Sequence, residues 1–227
     1  GGLVLGAYEI LYKHGVTRLC HFTKLQSLSH ILSSPDGIMA TSRINSDMLN
    51  QVDDLRADGE LDYVCCSIEY PNSWYFDKAK ERNKDEIFRD WAIMYIMPEI
   101  VKIRDIKVCE CNAAKGNGKY IRRGDDESIE NLFAMKVNSF KYPRTDSMLS
   151  ACPTNAQTEI LIKDGIPREY IKGIVVGNEE TARMVYAMRK TLGVETIELF
   201  ISPEVITTEW RAFVQKGVRP QEEKYVG

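Results

Sequence analysis

The feature that most constrains this chain is the irregular order of its short apolar runs. Runs with β-type composition stand at residues 17–22 (TRLCHF), 63–70 (YVCCSIEY), 91–97, 106–111, 158–163 (TEILIK), 170–178 (YIKGIVVGN) and 196–201. Each is a few residues long and rich in β-branched or aromatic side chains, as strands are. Helical spacing is interleaved with them. Leu25, Leu28, Ile31 and Leu32 recur at helical intervals ahead of the breaker Pro35-Asp36-Gly37. Residues 128–137, 179–192 and 207–218 also read as helices, whereas 40–62 reads as a long loop with some helix. Residues 138–158 form a long irregular stretch that feeds into the run at 158–163. No strict strand–helix alternation emerges, which argues against a doubly wound sheet. The pattern predicts an α+β fold of mixed, largely antiparallel sheets with flanking helices. No repeat or low-complexity linker divides the 227 residues, so a single domain over residues 1–227 is expected.

Composition narrows the function. No apolar run approaches the roughly 20 residues needed to span a bilayer, and the opening GGLVLGAYEILYKHG lacks a basic front end and a small-residue cleavage pattern. A cytoplasmic chain with no membrane partner is expected. The six cysteines lie mostly in apolar runs, which suits buried, reduced thiols. Cys109-x-Cys111 has no second Cys or His pair at zinc-like spacing, so no metal is expected. With a net charge of −3 and a pI near 5.8, any grip on nucleic acid must be local. The candidates are Lys115, Lys119, Arg122 and Arg123, and then Lys136, Lys141 and Arg144.

Common catalytic signatures fail. Gly116-Asn117-Gly118 is followed by Ile121 where a dinucleotide fingerprint needs glycine. Neither a Walker A sequence nor HExxH is present, and the three histidines have no triad signature around them. Chemistry in this chain must rest on carboxylates or on a bound cofactor.

Three features stand out together. His21-Phe22-Thr23 closes the first strand run just before a helix, a place where ligands meet a sheet's rim; Thr23 as a simple helix cap is the competing reading. Arg43 follows that helix, and its planar fork suits a pyrophosphate or a carboxylate, though taken alone it reads better as a surface arginine. Glu159 opens the run EILIK, with Gln157 two residues before it, so strand alternation would turn both to one side. A carboxylate beside an apolar strand is costly unless it sits at an open cleft with a partner. A solvated strand-end glutamate remains the plain alternative.

The stretches LCHFTKLQSLSHILSSPDGI, SRIN, DYVCCSIEYPNSWYF, CNAAKG and AQTEILI occur in the order found in the DarT family of DNA ADP-ribosyltransferases, which this chain resembles over about residues 17 to 177. The resemblance implies an ADP-ribosyltransferase-like split sheet gripping NAD as co-substrate. It assigns His21, Thr23 and Gln157 to the cofactor, Arg43 to orienting it, and Glu159 to catalysis. Glu159 would favour an oxocarbenium-like ribose and accept the proton of the attacking base. Within residues 138–158, Lys141 and Arg144 would meet phosphates, while Phe140 and Tyr142 would stack on the bases of single-stranded DNA. A macrodomain antitoxin is the implied partner. The segment SIEYPNSWYF departs from the form of thymidine-modifying members, so the identity of the base is not carried over. Transfer to RNA or to protein uses the same chemistry, and a non-catalytic binding module with a structural Glu159 is the reading from another class.

Overall fold

The computed structural model describes residues 6–41, 59–72 and 84–227. Eleven strands and seven α-helices are present among them. The strands are β1 (Leu19–Lys24), β2 (Ile38–Met39), β3 (Tyr63–Ile68), β4 (Trp91–Ile96), β5 (Ile106–Cys109), β6 (Arg122–Arg123), β7 (Glu159–Lys163), β8 (Gly165–Ile166), β9 (Ile171–Val176), β10 (Glu198–Ile201) and β11 (Glu223–Lys224). The helices are α1 (Ala7–Lys13), α2 (Leu25–Ser33), α3 (Lys84–Asp90), α4 (Asp126–Asn131), α5 (Glu179–Leu192), α6 (Pro203–Ile206) and α7 (Trp210–Gln215).

Nine strands form one sheet in the order β11-β10-β9-β4-β1-β3-β7-β5-β6, and β2 pairs β8 separately. The expected α+β architecture, mostly antiparallel and flanked by helices, is what the chain adopts. Among the described residues only β9 and β10 pair in parallel, and α5 makes the crossover that a parallel pair requires. The local chemistry of α5 explains why it matches the expected range of 179–192. Asn178 caps its first turn by accepting from the Thr181 amide, and Gly193 ends it at φ 68°.

The sheet is continuous in order but parted in the middle. β1 and β4 pair along six residues, from Leu19 with Ile96 to Lys24 with Trp91. β3 and β7 pair along five. Between these halves, β1 and β3 pair at Leu19 with Ile68 and Cys20 with Ser67, and the register goes no further. The two halves thus meet at one end and diverge beyond it. This narrow hinge is the form taken here by the expected split sheet.

Alternation gives each face its own role. One face carries Leu19, Met94, Cys66, Ile160, Ile174 and their neighbours into the main core against α1, α2, α4 and α5. The other face carries two smaller apolar clusters. Cys20, Ile93, Tyr95 and Val175 pack beneath α3, α6 and α7 on one half, and Cys109, Leu161, Cys111 and Ala113 group on the other.

The sequence reading did not foresee α1, α3 or the short strands β2, β6, β8 and β11, and two helices that it did foresee come out shorter. The helix foreseen at 128–137 stops at Asn131, because the carbonyls of Leu132 and Ala134 accept from the backbone amide and hydroxyl of Thr154 instead of continuing the helix. The terminal helix foreseen at 207–218 is only Trp210–Gln215, preceded by the separate short α6. Residues 138–158 contain neither helix nor strand, as expected. Most of the loop foreseen at 40–62 lies outside the described residues.

Candidate active site

One row of side chains crosses the second face of the sheet. Tyr95 pairs with Cys20 across β4 and β1, Cys20 with Ser67 across β1 and β3, Ser67 with Glu159 across β3 and β7, and Glu159 with Cys109 across β7 and β5. The ends of the row belong to the two apolar clusters. Its middle is polar, so Ser67 and Glu159 occupy the seam between two greasy patches. Glu159 is 7% exposed. An ionised carboxylate is tolerated at such a place only with donors aimed at it.

Asn72 supplies one. Its Nδ2 donates to Glu159 Oε1 at 2.7 Å and also lies 3.3 Å from the Gln157 carbonyl. Its backbone amide donates to Ser67 Oγ at 2.7 Å. A strained turn aims Asn72 back at the sheet: β3 ends at Ile68, and Glu69 adopts φ 69° although it is not glycine. Such a conformation costs on the order of 1–3 kcal/mol unless its surroundings impose it. They do so here. The Glu69 carboxylate, with no exposed surface, accepts from the Thr17 amide at 2.7 Å, the Thr17 hydroxyl at 2.6 Å and Arg219 Nη1 at 2.6 Å. Arg18 Nε donates to the Glu69 carbonyl at 2.8 Å, and its guanidinium pairs with Glu222 at 3.0 Å while lying 3.9 Å from the Tyr95 ring centroid.

His21 spans the parting of the sheet. Its Nδ1 lies 2.8 Å from the Cys65 carbonyl on β3. A carbonyl only accepts, so Nδ1 carries the proton. The ring thereby links the two halves past the point where the backbone ladder stops. Thr23 is buried, and its hydroxyl donates to the Lys24 carbonyl at 3.3 Å; the residue at the helix cap position is Lys24, and α2 has no side-chain cap. Alternation places His21 and Thr23 on the main-core side of β1 and Glu159 on the other side of β7, so the structure does not bring these foreseen site residues onto one face of the sheet. Arg43 lies outside the described residues.

Gln157 differs from the alternation argument. It stands in a turn closed by the Thr158 amide on the Asn155 carbonyl at 3.0 Å, ahead of the first strand residue, Glu159. Strand alternation therefore does not govern it. It lines a cavity of about 320 Å³ bounded by Tyr70, Phe140, Cys152, Gln157 and Trp210. The irregular stretch 139–158 thus walls a chamber opposite α7, and its lining runs up to Thr158, the residue before Glu159. Trp210 stacks on Tyr70 at 5.3 Å and 15°, giving the chamber a rigid aromatic back.

The three foreseen nucleic-acid residues divide. Tyr142 is 57% exposed, with Lys141 Nζ 4.8 Å from its ring and Phe140 edge-on at 5.6 Å. Arg144 turns inward, donating to Thr154 Oγ1 at 3.0 Å and the Leu149 carbonyl at 3.4 Å, which braces the loop from within. Cysteine is poorly placed as a nucleophile along this row. Burial pushes the Cys20 thiol upward and raises Cys152 to about 12. Cys109 and Cys111 lie 3.5 Å apart, and their mutual hydrogen bond raises the first thiol and lowers the second.

Sequence reasoning missed Asn72, Ser67 and Glu69. The local signal was Pro71 just after the apolar run 63–70, which marks a turn but does not say what the asparagine touches.

A sheet parted at its centre, with a buried glutamate opening the strand next to β3, is the arrangement that the resemblance to ADP-ribosyltransferases implied. The sequence profile of DarT, the ssDNA thymidine ADP-ribosyltransferase family, matches residues 20–207. The chain belongs to the DarT family. No curated protein sequence matches it. Among solved structures, it is similar to Thermosipho africanus DarTG in complex with ADP-ribose, with a TM-score of 0.58 and 18% identity. That alignment covers 84% of this chain but 51% of the other, so the chain spans about half the length of that relative. Thermus sp. 2.9 DarT in complex with ADP-ribosylated ssDNA aligns with a TM-score of 0.56 and 14% identity, over 84% of this chain and 96% of that one. The same Thermus protein in complex with NAD+ gives 0.53 and 16%, over 78% and 90%. At such identities the likeness is one of fold.

Proposed function

We propose that this chain, acting as a single domain, transfers ADP-ribose from NAD to a base of single-stranded DNA, with Glu159 as the catalytic carboxylate. The observation that carries the reading is the polar seam: a buried glutamate held by Asn72 at the parting of the sheet, beside a chamber walled by the loop 139–158. Family membership and the NAD-bound Thermus relative supply the cofactor.

The chemistry follows from charge. When the bond between nicotinamide and ribose breaks, its electron pair leaves with a neutral ring and C1 of the ribose becomes cationic. A carboxylate already fixed by Asn72 stabilises that cation in the transition state more than it stabilises neutral ribose in the ground state. The same logic operates in glycoside hydrolysis. A ring nitrogen or oxygen of the base then bonds to C1, and Glu159 accepts the proton the base loses. Arg43 is assigned to orienting the pyrophosphate, and His21, Thr23 and Gln157 to contacts with NAD. Lys141 and Tyr142 receive the DNA, the lysine near phosphate and the tyrosine against a base. Arg144 keeps the loop in shape for them. A base stacked inside a duplex is out of reach, which favours single strands.

The cellular role we assign is that of a toxin in the cytoplasm, countered by a macrodomain partner that removes ADP-ribose. No helix among the described residues is long and apolar enough to cross a membrane. The test is incubation with labelled NAD and separate pools of single-stranded DNA, RNA and protein, followed by mass spectrometry of the product. Label on a DNA base supports the reading; label confined to RNA or protein overturns it.

A further inference from the structure

The loop 139–158 begins and ends on one residue, Glu110. This glutamate directly follows β5, whose last residue, Cys109, pairs with Glu159. Its backbone carbonyl accepts from both ends of the loop: the Ser139 hydroxyl at 3.1 Å and the Thr158 hydroxyl at 3.3 Å. Its carboxylate receives two further donors, the Ser139 amide on Oε1 at 3.0 Å and Asn131 Nδ2 on Oε2 at 2.9 Å. Asn131 is the last residue of α4. From Ser139 the chain of bonds continues, because Asn155 Nδ2 donates to Ser139 Oγ at 3.0 Å and the Gln157 amide donates to Asn155 Oδ1 at 2.9 Å. One residue thus ties together the end of β5, the end of α4 and the neck of the loop: its carboxylate holds Asn131 and the start of the loop, and its backbone carbonyl holds both ends.

We propose that Glu110 is a positioning residue that holds the substrate loop in register with Glu159. The inference rests on the reading of 139–158 as the wall that receives DNA. A carboxylate suits the task because it can accept from a backbone amide and a side-chain amide at once, in fixed directions. Its role is geometric rather than ionic: both of its partners are neutral donors. Glutamine is nearly isosteric and keeps an oxygen for the Ser139 amide, while Asn131 can turn its own oxygen toward the new amide. Alanine releases both partners and leaves the Ser139 amide without its acceptor. A loop displaced by even an ångström at a reacting centre loses a large factor in rate.

The test compares Glu110→Ala and Glu110→Gln in the full chain, using NAD and a mixed-sequence single-stranded oligonucleotide. The expected result for alanine is a fall of at least about tenfold in kcat/KM for the oligonucleotide. Its NAD affinity by calorimetry should stay within about twofold, because the carboxylate's own partners, Ser139 and Asn131, are not among the residues assigned to the cofactor. Glutamine should remain near the wild type. Hydrogen exchange of the amides in 139–158 should quicken in the alanine variant, and this readout needs no substrate. Unchanged exchange and transfer in the alanine variant overturn the inference, as does a glutamine variant as impaired as alanine or a loss of NAD affinity matching the loss of transfer. Wild-type protein that leaves DNA unlabelled while Glu110→Ala still loosens the loop would fault the functional reading rather than the role of Glu110.

Discussion

Asn72 Nδ2 lies 2.7 Å from Glu159 Oε1, and the same asparagine's backbone amide lies 2.7 Å from Ser67 Oγ, the residue paired with Glu159 across the sheet. The turn after β3 therefore clamps the carboxylate that opens β7. Because the asparagine side chain is neutral, it fixes the direction of the carboxylate without cancelling its charge, and that charge is what a developing ribosyl cation requires.

Replacing Asn72 by alanine is expected to slow turnover by about tenfold, the scale of one lost hydrogen bond to a charged group. Steady-state kinetics with NAD and single-stranded DNA would check this. A fall in kcat with little change in KM for NAD is expected; an unchanged kcat would show that the clamp is dispensable.

Glu159→Gln retains an oxygen for Asn72 and removes the charge. Transfer should fall by about 10²–10³. The melting temperature should move by no more than about 4 °C, since the nearly isosteric amide keeps the bond to Asn72 and opens no cavity. Retained transfer with a large thermal shift would return Glu159 to a structural role.

Glu222 is the counter-ion of Arg18, which is buried against Tyr95. Glu222→Ala leaves that guanidinium in the interior without its carboxylate, a loss expected to cost about 3–5 kcal/mol. Chemical denaturation measures it. The strained turn at Glu69 sits in the same network, so activity should fall along with stability. A loss below about 1 kcal/mol, the scale of an exposed pair, would show the network to be peripheral.

Cys152 lines the chamber, yet burial raises its thiol to about 12. At pH 8 only about one such thiol in 10⁴ is ionised, so it should resist iodoacetamide. Half-buried Cys65 should be labelled first. The labelling rate of Cys152 should climb about tenfold per pH unit between pH 8 and 11, as peptide mapping would show. Rapid labelling of Cys152 at pH 8 would mean the chamber is open and wet rather than apolar.

Legibility in the sequence varied with the range of the forces involved. α5 could be read to the residue because its cap, its apolar stripe and its terminal glycine are all local. The helix foreseen at 128–137 was overrun because Thr154, some twenty positions away, takes the carbonyls of Leu132 and Ala134. Gln157 looked like a strand neighbour of Glu159 because alternation is local, but the turn from Asn155 to Thr158 interrupts it. Arg144 read as a surface cation until the loop folded over it.

By itself the amino-acid sequence determined the seven longer strands, the helix α5, the lack of a strict strand–helix alternation, and the glutamate at the mouth of an apolar strand. Those are properties of periodicity and composition, which act within a few residues. Only the tertiary structure decided that the sheet parts between β1 and β3, that Asn72 reaches Glu159, and that Glu110 gathers both ends of the loop. Each of these joins residues far apart in the chain, and such contacts depend on where packing brings the backbone, not on the residues' immediate neighbours.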